Sequence, residues 1–128
     1  MTKNNQPFKP QHTSLEAILK DHKLASLGDA YVNFIYSVAL SKKKGEATGA
    51  KVNSSILSQA LKKAALRELL PQRMDRHMLA DAAEALIVYT WLHEIITIEE
   101  SITILSTSKN FVEGFTTLLL LAKERLNL

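Results

Sequence analysis

Apolar residues recur at intervals of three and four along most of the chain, and this spacing predicts helices. The alternation of apolar and polar residues that indicates strands is almost absent. The predicted helices are a short one from Thr13 toward His22 and five more over about 24–44, 54–69, 75–95, 97–105 and 108–125. We therefore expect an all-α fold with about six helices.

Side chains that cap helices support several of these boundaries. Thr13–Glu16 and Thr97–Glu100 both have the spacing of a capping box, in which each side chain satisfies a free backbone amide of the first turn. Asn53 or Ser54 is suited to cap the third helix, and Pro71 ends the segment that follows it. The order of helices and loops is thus predicted from local signals.

Length and composition indicate one folded domain. With 128 residues, the chain has room for one hydrophobic core, which we assign to residues 13–128 after a flexible segment 1–12. No apolar run approaches the roughly 18 residues that a membrane span requires. The absence of cysteine excludes disulfides and thiolate zinc sites, and we expect a cytoplasmic protein.

The net charge of +3 is unevenly distributed along the chain. Residues 42–76 contain nine Lys or Arg and three acidic residues, whereas residues 77–104 contain five acidic residues and no Lys or Arg. A basic surface beside an acidic pocket suits a phosphate polymer and the cations that act on it. Solvated helix faces would give the same distribution, so charge alone leaves both interpretations open.

Three carboxylates occupy helical stretches that have no Lys or Arg nearby. Asp29 lies within Leu27–Ala30, and Asp81 and Glu84 lie within Ala80–Leu86. A buried carboxylate without a partner is costly, so such acids are usually paired, hydrogen-bonded or bound to a metal. The alanine-rich surroundings favour a metal.

The second helix carries a stripe of small polar residues. Ser26, Asp29, Asn33 and Ser37 are spaced by three, four and four residues, which places them on one helix face. Gly28 lowers the helix propensity by roughly 1 kcal/mol relative to alanine, so we expect it to permit close backbone contact. The stripe predicts that another helix approaches this face closely.

In the long helix, His77, Asp81 and Glu84 are spaced by four and three residues and share one face. If this face packs on the polar stripe, Asp29 meets Asp81 and Glu84 in a cluster of three negative charges. Such a cluster repels itself unless divalent cations fill it. We expect the oxygen atoms of Asp29 to lie within a metal's reach of the other two carboxylates.

The two acidic stretches, with Leu-Gly-Asp-Ala at 27–30 and Ala-Asp followed by Glu-Ala-Leu at 80–86, resemble the endonuclease domain of ribonuclease III. The resemblance covers about residues 24–93 and includes the order and separation of the motifs. Since we expect the short chain to lack a double-stranded-RNA-binding domain, it resembles compact members such as Mini-III and small archaeal relatives.

The resemblance implies an all-helical homodimer that hydrolyses phosphodiester bonds in double-stranded or folded RNA and leaves 5′-phosphate and 3′-hydroxyl ends. Asp29, Asp81 and Glu84 fall on the family's catalytic, metal-binding positions, where they would hold Mg²⁺ or Mn²⁺. Basic residues would contact the RNA backbone. The candidate contacts are Lys42, Lys43, Lys44, Lys51, Lys62, Lys63, Arg67, Arg73 and Arg76.

Three positions depart from the family pattern. Ala25 stands where full-length enzymes carry a further glutamate, Val88 where glycine is usual, and Ser26 where an aromatic residue often contributes to the dimer. A catalytically inactive RNA-binding or scaffolding dimer is therefore the alternative function. A helical protein-interaction module unrelated to RNA is a third possibility, although it would not predict the basic segment.

Simpler roles are available for the remaining polar and aromatic residues. His77 and His93 lack a third suitable zinc ligand, so we expect them to be structural or to support the site from outside. Tyr89 and Trp91 are predicted to pack in the core. The run Lys42–Lys44 would also stabilise the C-terminal end of a helix.

Overall fold

Six α-helices and one short 3₁₀ turn make up the computed structural model, which describes residues 7–128. The helices are α1 (Leu15–Leu19), α2 (His22–Lys44), α3 (Ser54–Lys63), α4 (Arg76–Leu92), α5 (Ile98–Thr107) and α6 (Phe111–Leu126), and the 3₁₀ turn is Arg67–Leu69. No strand is present in this part of the chain, so the all-α prediction is confirmed. Between Pro7 and Leu128, no helix has both the length and the apolar character of a membrane span.

Helix α4 forms the centre of the fold. Twelve of its residues are buried, on all sides of the helix, as is typical of a helix enclosed by others. Helices α1, α2, α3 and α6 all pack against it, and the contact between α2 and α4 is the most extensive. Residues of α2 and α4 are therefore held in a fixed relation by the core.

Gly28 makes the close approach of α2 to α4 possible. A Cβ atom at this position would collide with the backbone carbonyl oxygen of Glu84, so no larger residue fits without a shift of one helix. The prediction that Gly28 permits close backbone contact is confirmed. The same contact brings Asp29, the next residue, beside the acidic part of α4.

Two helices end earlier than predicted, α3 before Leu69 and α4 before Ile95. In both, the second residue after the helix is a non-glycine residue in the left-handed conformation, Ala65 with φ 60° and Glu94 with φ 57°. The next amide then bonds back to the last helical turn, at 3.2 Å in α3 and 2.8 Å in α4. The turn at α3 returns Leu66 to the core, where its side chain is fully buried.

The caps agree with the sequence signals in most places. Thr97 caps α5 by accepting a hydrogen bond from the amide of Glu100 at 3.0 Å, as predicted, and Asn53 caps α3. Helix α1 begins one residue later than predicted, because Ser14 and not Thr13 supplies the capping oxygen. Local capping chemistry thus fixes most helix starts.

The segment before α1 is attached to the C-terminal end of α4. The ring Nε2 of His93 donates to the carbonyl oxygen of Pro10 at 2.7 Å, and the amide of His12 donates to the hydroxyl of Tyr89 at 3.2 Å. These contacts place residues 7–12 against the domain. Residues 1–6 of the predicted flexible segment lie outside the described residues.

Candidate active site

A hollow of about 290 Å³ lies between α2, α4 and the beginning of α3. It brings together the three predicted site acids: Asp29 comes from α2, and Asp81 and Glu84 come from α4. The other lining residues are Lys51, Val52, Ser54, Leu57, His77 and Ala80. The structure thus places the acidic residues of two distant sequence motifs in one site.

The three carboxylates differ in burial. Glu84 is only 5 % exposed because α4 is the central helix, whereas Asp29 and Asp81 are exposed. The expectation of buried or half-buried acids therefore holds for one of the three. Glu84 lies at the floor of the hollow, and the two aspartates lie at its rim.

Burial raises the pKa of Glu84 to about 8. The negative charges of Asp29 and Asp81 and a polar interaction with the Asp29 carboxyl group add to this effect, while the positive charge of Lys51 opposes it. Glu84 therefore keeps its proton at neutral pH in the metal-free protein. A carboxyl group this strongly perturbed by burial and neighbouring charges is typical of functional sites.

Partial burial and the charge of Asp29 also raise the pKa of Asp81. Two histidines, His22 and His77, favour the ionised form and limit the increase. His77 lines the hollow, as its position on the same face as the acids predicted. Its ring therefore contributes to the electrostatics of the site from the rim.

Within residues 7–128, none of the three site acids forms an ion pair with a basic side chain. The ion pairs within residues 7–128 involve other acids, in the pairs His12 with Asp21, Lys20 with Glu16 and Arg125 with Glu100. The site acids thus form a partly buried cluster without an ion-pair partner in the described part of the chain, on the two most closely packed helices.

The carboxylates do not form a ready-made ligand set for one ion. Across the described residues, no three His, Cys, Asp or Glu side chains are placed to hold a metal together. The expected three-carboxylate set is thus not formed, although the carboxyl groups of Asp29 and Glu84 interact with each other. The donors themselves are all carboxylate oxygens, which Mg²⁺ and Mn²⁺ prefer.

The polar stripe of α2 contacts a loop, where a neighbouring helix was expected. Asn33 Oδ1 accepts a hydrogen bond from the amide of Val52 at 2.7 Å, and Ser37 Oγ bonds to Ala50. The amide nitrogen of Asn33 also donates to the Asp29 carboxylate at 3.0 Å. The stripe was predicted from the sequence, but the role of Asn33 was not. The signal for that role is the position of Asn33 four residues after Asp29.

Among the nine predicted RNA contacts, only Lys51 lines the acidic hollow. Seven of the others are exposed, and Arg67 is half-buried. The Arg67 guanidinium donates to three backbone carbonyls of residues 70–72, and Lys43 Nζ donates to the Ser108 carbonyl at 2.9 Å. Arg67 therefore has a structural role in the turn that follows α3.

The expected structural roles of the aromatic residues are confirmed. Trp91 stacks on Tyr31 with 5.4 Å between ring centroids, and Tyr89 packs against His93 at 4.1 Å. His93 also bonds to the N-terminal segment, so it lies outside the acidic hollow. These residues stabilise α4 and the segments around it.

The three departures from the expected pattern lie in different surroundings. Ala25 lines a neighbouring hollow of about 300 Å³ that also reaches Asp81, so no carboxylate extends into the site from that position. Val88 is fully buried in the core, where its side chain is accommodated. Ser26 is exposed on α2.

The fold and the site define an all-helical domain in which two closely packed helices present acidic residues to one hollow. The model of the protein family described as Ribonuclease III matches residues 22–118, which include both acidic motifs. The chain belongs to the ribonuclease III family. No curated protein matches the sequence. Family membership indicates a function in ribonuclease chemistry or another RNA-related process.

Proposed function

We propose that the protein is a divalent-metal-dependent endoribonuclease that hydrolyses phosphodiester bonds in double-stranded or structured RNA. The observation that carries the proposal is the hollow that unites Asp29, Asp81 and Glu84, none of which forms an ion pair within residues 7–128. Carboxylate oxygens suit Mg²⁺ or Mn²⁺. When bound, such an ion supplies an activated water and stabilises negative charge on the phosphate.

The residues of the chain have distinct tasks in this proposal. Glu84 provides a carboxylate fixed by burial, because its backbone lies against Gly28 in the tightest part of the helix contact. Asn33 orients the Asp29 carboxylate at the rim, and the exposed Asp81 can turn toward the centre of the hollow. His77 favours the ionised form of Asp81. The acids therefore fit a hard divalent ion after a change of side-chain conformation at the rim.

Exposed basic side chains around the site would contact the RNA backbone. Lys42–Lys44 end α2, Lys62 and Lys63 end α3, and Arg73 and Arg76 flank the start of α4. Double-stranded RNA is recognised mainly through its phosphates and 2′-hydroxyls, and Lys and Arg suit both. We expect binding that depends on duplex shape more than on base sequence.

The outer face of α2 supports a homodimer. Leu27 and Phe34 are 36 % and 55 % exposed and flank the small residue Ala30 at nearly equal distances along the helix. In an antiparallel pairing about Ala30, the Phe34 side chain of each copy meets the Leu27 side chain of the other, as a two-fold interface requires. Phe8, 59 % exposed, adds to this apolar face.

The cysteine-free composition suits a reducing compartment, and we place the activity in the cytoplasm.

A non-catalytic RNA-binding or scaffolding dimer is the second candidate. Two observations favour it. Ala25 stands where full-length enzymes carry a further glutamate, so the site has one carboxylate fewer. The three acids that are present do not form a common ligand set for one metal ion. This candidate keeps the basic surface and the dimer but predicts no cleavage.

Cleavage of a long RNA duplex separates the candidates. We expect the purified protein to cut it with Mg²⁺ or Mn²⁺ and not with EDTA, and we expect Asp29→Asn and Glu84→Gln to abolish cutting. Glu113→Gln, which changes an exposed acid on α6, is the matched control and should cut normally. Metal-independent retention of the duplex without cutting would establish the binding protein. Absence of both binding and cutting at low salt would refute both RNA functions.

A further inference from the structure

The loop between α2 and α3 is bound to α2 by three side chains, each four residues apart. Asn33 bonds to Val52, Ser37 bonds to Ala50, and Ser41 accepts from the amide of Thr48 at 2.8 Å. Four helical residues rise about 6 Å, and two extended residues span about 6.6 Å. The repeat therefore matches an extended segment that runs antiparallel to the helix.

This match determines where Lys51 lies. Val52 and Ala50 direct their backbone amides to α2, and Lys51 between them lines the acidic hollow. The Lys51 side chain is exposed and has no acid within ion-pair distance in the described part of the chain. The backbone on both sides of Lys51 is therefore fixed beside the hollow, and the lysine charge acts on Glu84 without forming an ion pair with it.

Asn33 connects this segment to the acidic site. Its Oδ1 accepts from Val52 at 2.7 Å, and its Nδ2 donates both to the Asp29 carboxylate at 3.0 Å and to the Asp29 carbonyl at 2.8 Å. One amide group thus orients an acid of the hollow and holds the backbone next to Lys51.

A phosphodiester needs a positive contact to enter a hollow with three carboxylates. Lysine offers three N–H donors and no acceptor, which suits the oxygens of a phosphate. We propose that Asn33 is a positioning residue that holds the Asp29 carboxylate and the Lys51 segment in fixed relation, and that Lys51 contacts the RNA phosphate in the hollow. This inference rests on the proposed function.

Lys51 is tested by single-turnover cleavage of a labelled RNA duplex and by Mn²⁺ titration of the RNA-free protein. Lys51→Ala should slow cleavage by about tenfold or more, and Lys51→Arg should retain most of the rate. Lys109→Ala, an exposed lysine between α5 and α6 and outside the hollow, should stay within about twofold of wild type. Mn²⁺ should bind Lys51→Ala as tightly as wild type or more tightly, because a positive charge beside Glu84 is removed.

Two results would overturn the role of Lys51. Equal cleavage by Lys51→Ala and Lys109→Ala would exclude a phosphate contact in the site. Weaker Mn²⁺ binding by Lys51→Ala would show that the lysine only supports the acidic residues. If the wild-type protein itself cuts no duplex, both the proposed function and this inference fail. If the wild type cuts and Lys51→Ala behaves like the control, only this inference fails.

Asn33 is tested against Ser37, which holds the same loop but does not touch Asp29. Asn33→Ala should raise the Mn²⁺ dissociation constant of the RNA-free protein by about 10- to 100-fold, as loss of a partner that orients a ligand does. Ser37→Ala should change it little. Alanine is a better helix former than asparagine, so α2 is retained. Equal Mn²⁺ affinities of the two variants would refute the positioning role.

Discussion

Glu84→Gln should stabilise the metal-free protein while removing its function. The buried carboxyl group titrates at about 8, far above its ordinary value of 4.5, because burial and two neighbouring aspartates disfavour the charge. Between pH 4.5 and 8, Glu84 therefore carries a proton in the folded protein but not in the unfolded chain. The stability of the wild type should therefore fall as the pH rises from about 4.5 to 8.

The size of the effect follows from the displaced pKa. A rise from 4.5 to about 8 corresponds to roughly 5 kcal/mol of destabilisation when Glu84 is ionised, at about 1.4 kcal/mol per pKa unit. Glutamine removes the charge but leaves a buried amide, and an unsatisfied amide costs roughly 1–3 kcal/mol. Above pH 8, the variant should therefore be more stable by roughly 2–4 kcal/mol. At pH 5, where Glu84 is neutral, it should be equal or slightly less stable.

Thermal unfolding in EDTA at pH 5, 7 and 9, followed by circular dichroism, measures this difference. The melting temperature of Glu84→Gln should exceed that of the wild type by several degrees at pH 9 and lose that advantage at pH 5. Glu113→Gln, at an exposed position, controls for the loss of one negative charge. A difference that is the same at pH 5 and pH 9, or no stabilisation at pH 9, would refute the reasoning.

Three further changes test the packing, the dimer and a helix cap. Gly28→Ala should destabilise the fold by about 1–3 kcal/mol in urea titrations and abolish cleavage, whereas Gly49→Ala, whose Cβ meets no atom within 4 Å, should be neutral. Phe34→Glu should give a monomer in light scattering, unlike Leu120→Glu on α6; a dimer in both would disprove the α2 interface. Asp21→Ala removes the cap of α2 and should cost about 1 kcal/mol near neutral pH. Burial alone would raise the pKa of Asp21, but hydrogen bonds from the capped amide and a neighbouring histidine outweigh burial and lower the pKa. The destabilisation by Asp21→Ala should therefore vanish as the pH falls below about 3.8 and the wild-type carboxylate is protonated.

Sequence signals predicted most of the fold because the determinants are local. Helix starts follow from capping side chains such as Thr97, and the closeness of α2 and α4 follows from Gly28. The early ends of α3 and α4 could not be predicted from the local signals used. Ala65 and Glu94 take a left-handed conformation that normally favours glycine, and tertiary contacts stabilise it by returning the chain to the core.

The candidate site was predictable in its residues but not in its organisation. Periodicity places Asp81 and Glu84 on one helix face and Asp29 on the polar stripe of another helix. No periodicity argument shows that Glu84 alone is buried or that Asn33 binds a loop, because both depend on which elements pack around α2 and α4. The polar stripe predicted a close neighbour correctly but gave no means to distinguish a helix from an extended segment.

The acids of the hollow lower the stability of the metal-free fold, so stability does not explain their presence. A core position such as 84 would be filled at lower cost by an apolar residue, since the carboxyl group there is stable only while protonated. Gly28 also lowers the stability of α2, because glycine has a low helix propensity, but it allows α2 to pack against position 84. Binding of a divalent cation would offset the destabilisation by Glu84 and Gly28, because an ion among the three carboxylates removes their mutual repulsion. Mn²⁺ should therefore raise the melting temperature of the wild type at pH 8 and leave that of Glu84→Gln nearly unchanged; equal shifts in both would show that the cation does not act through this cluster.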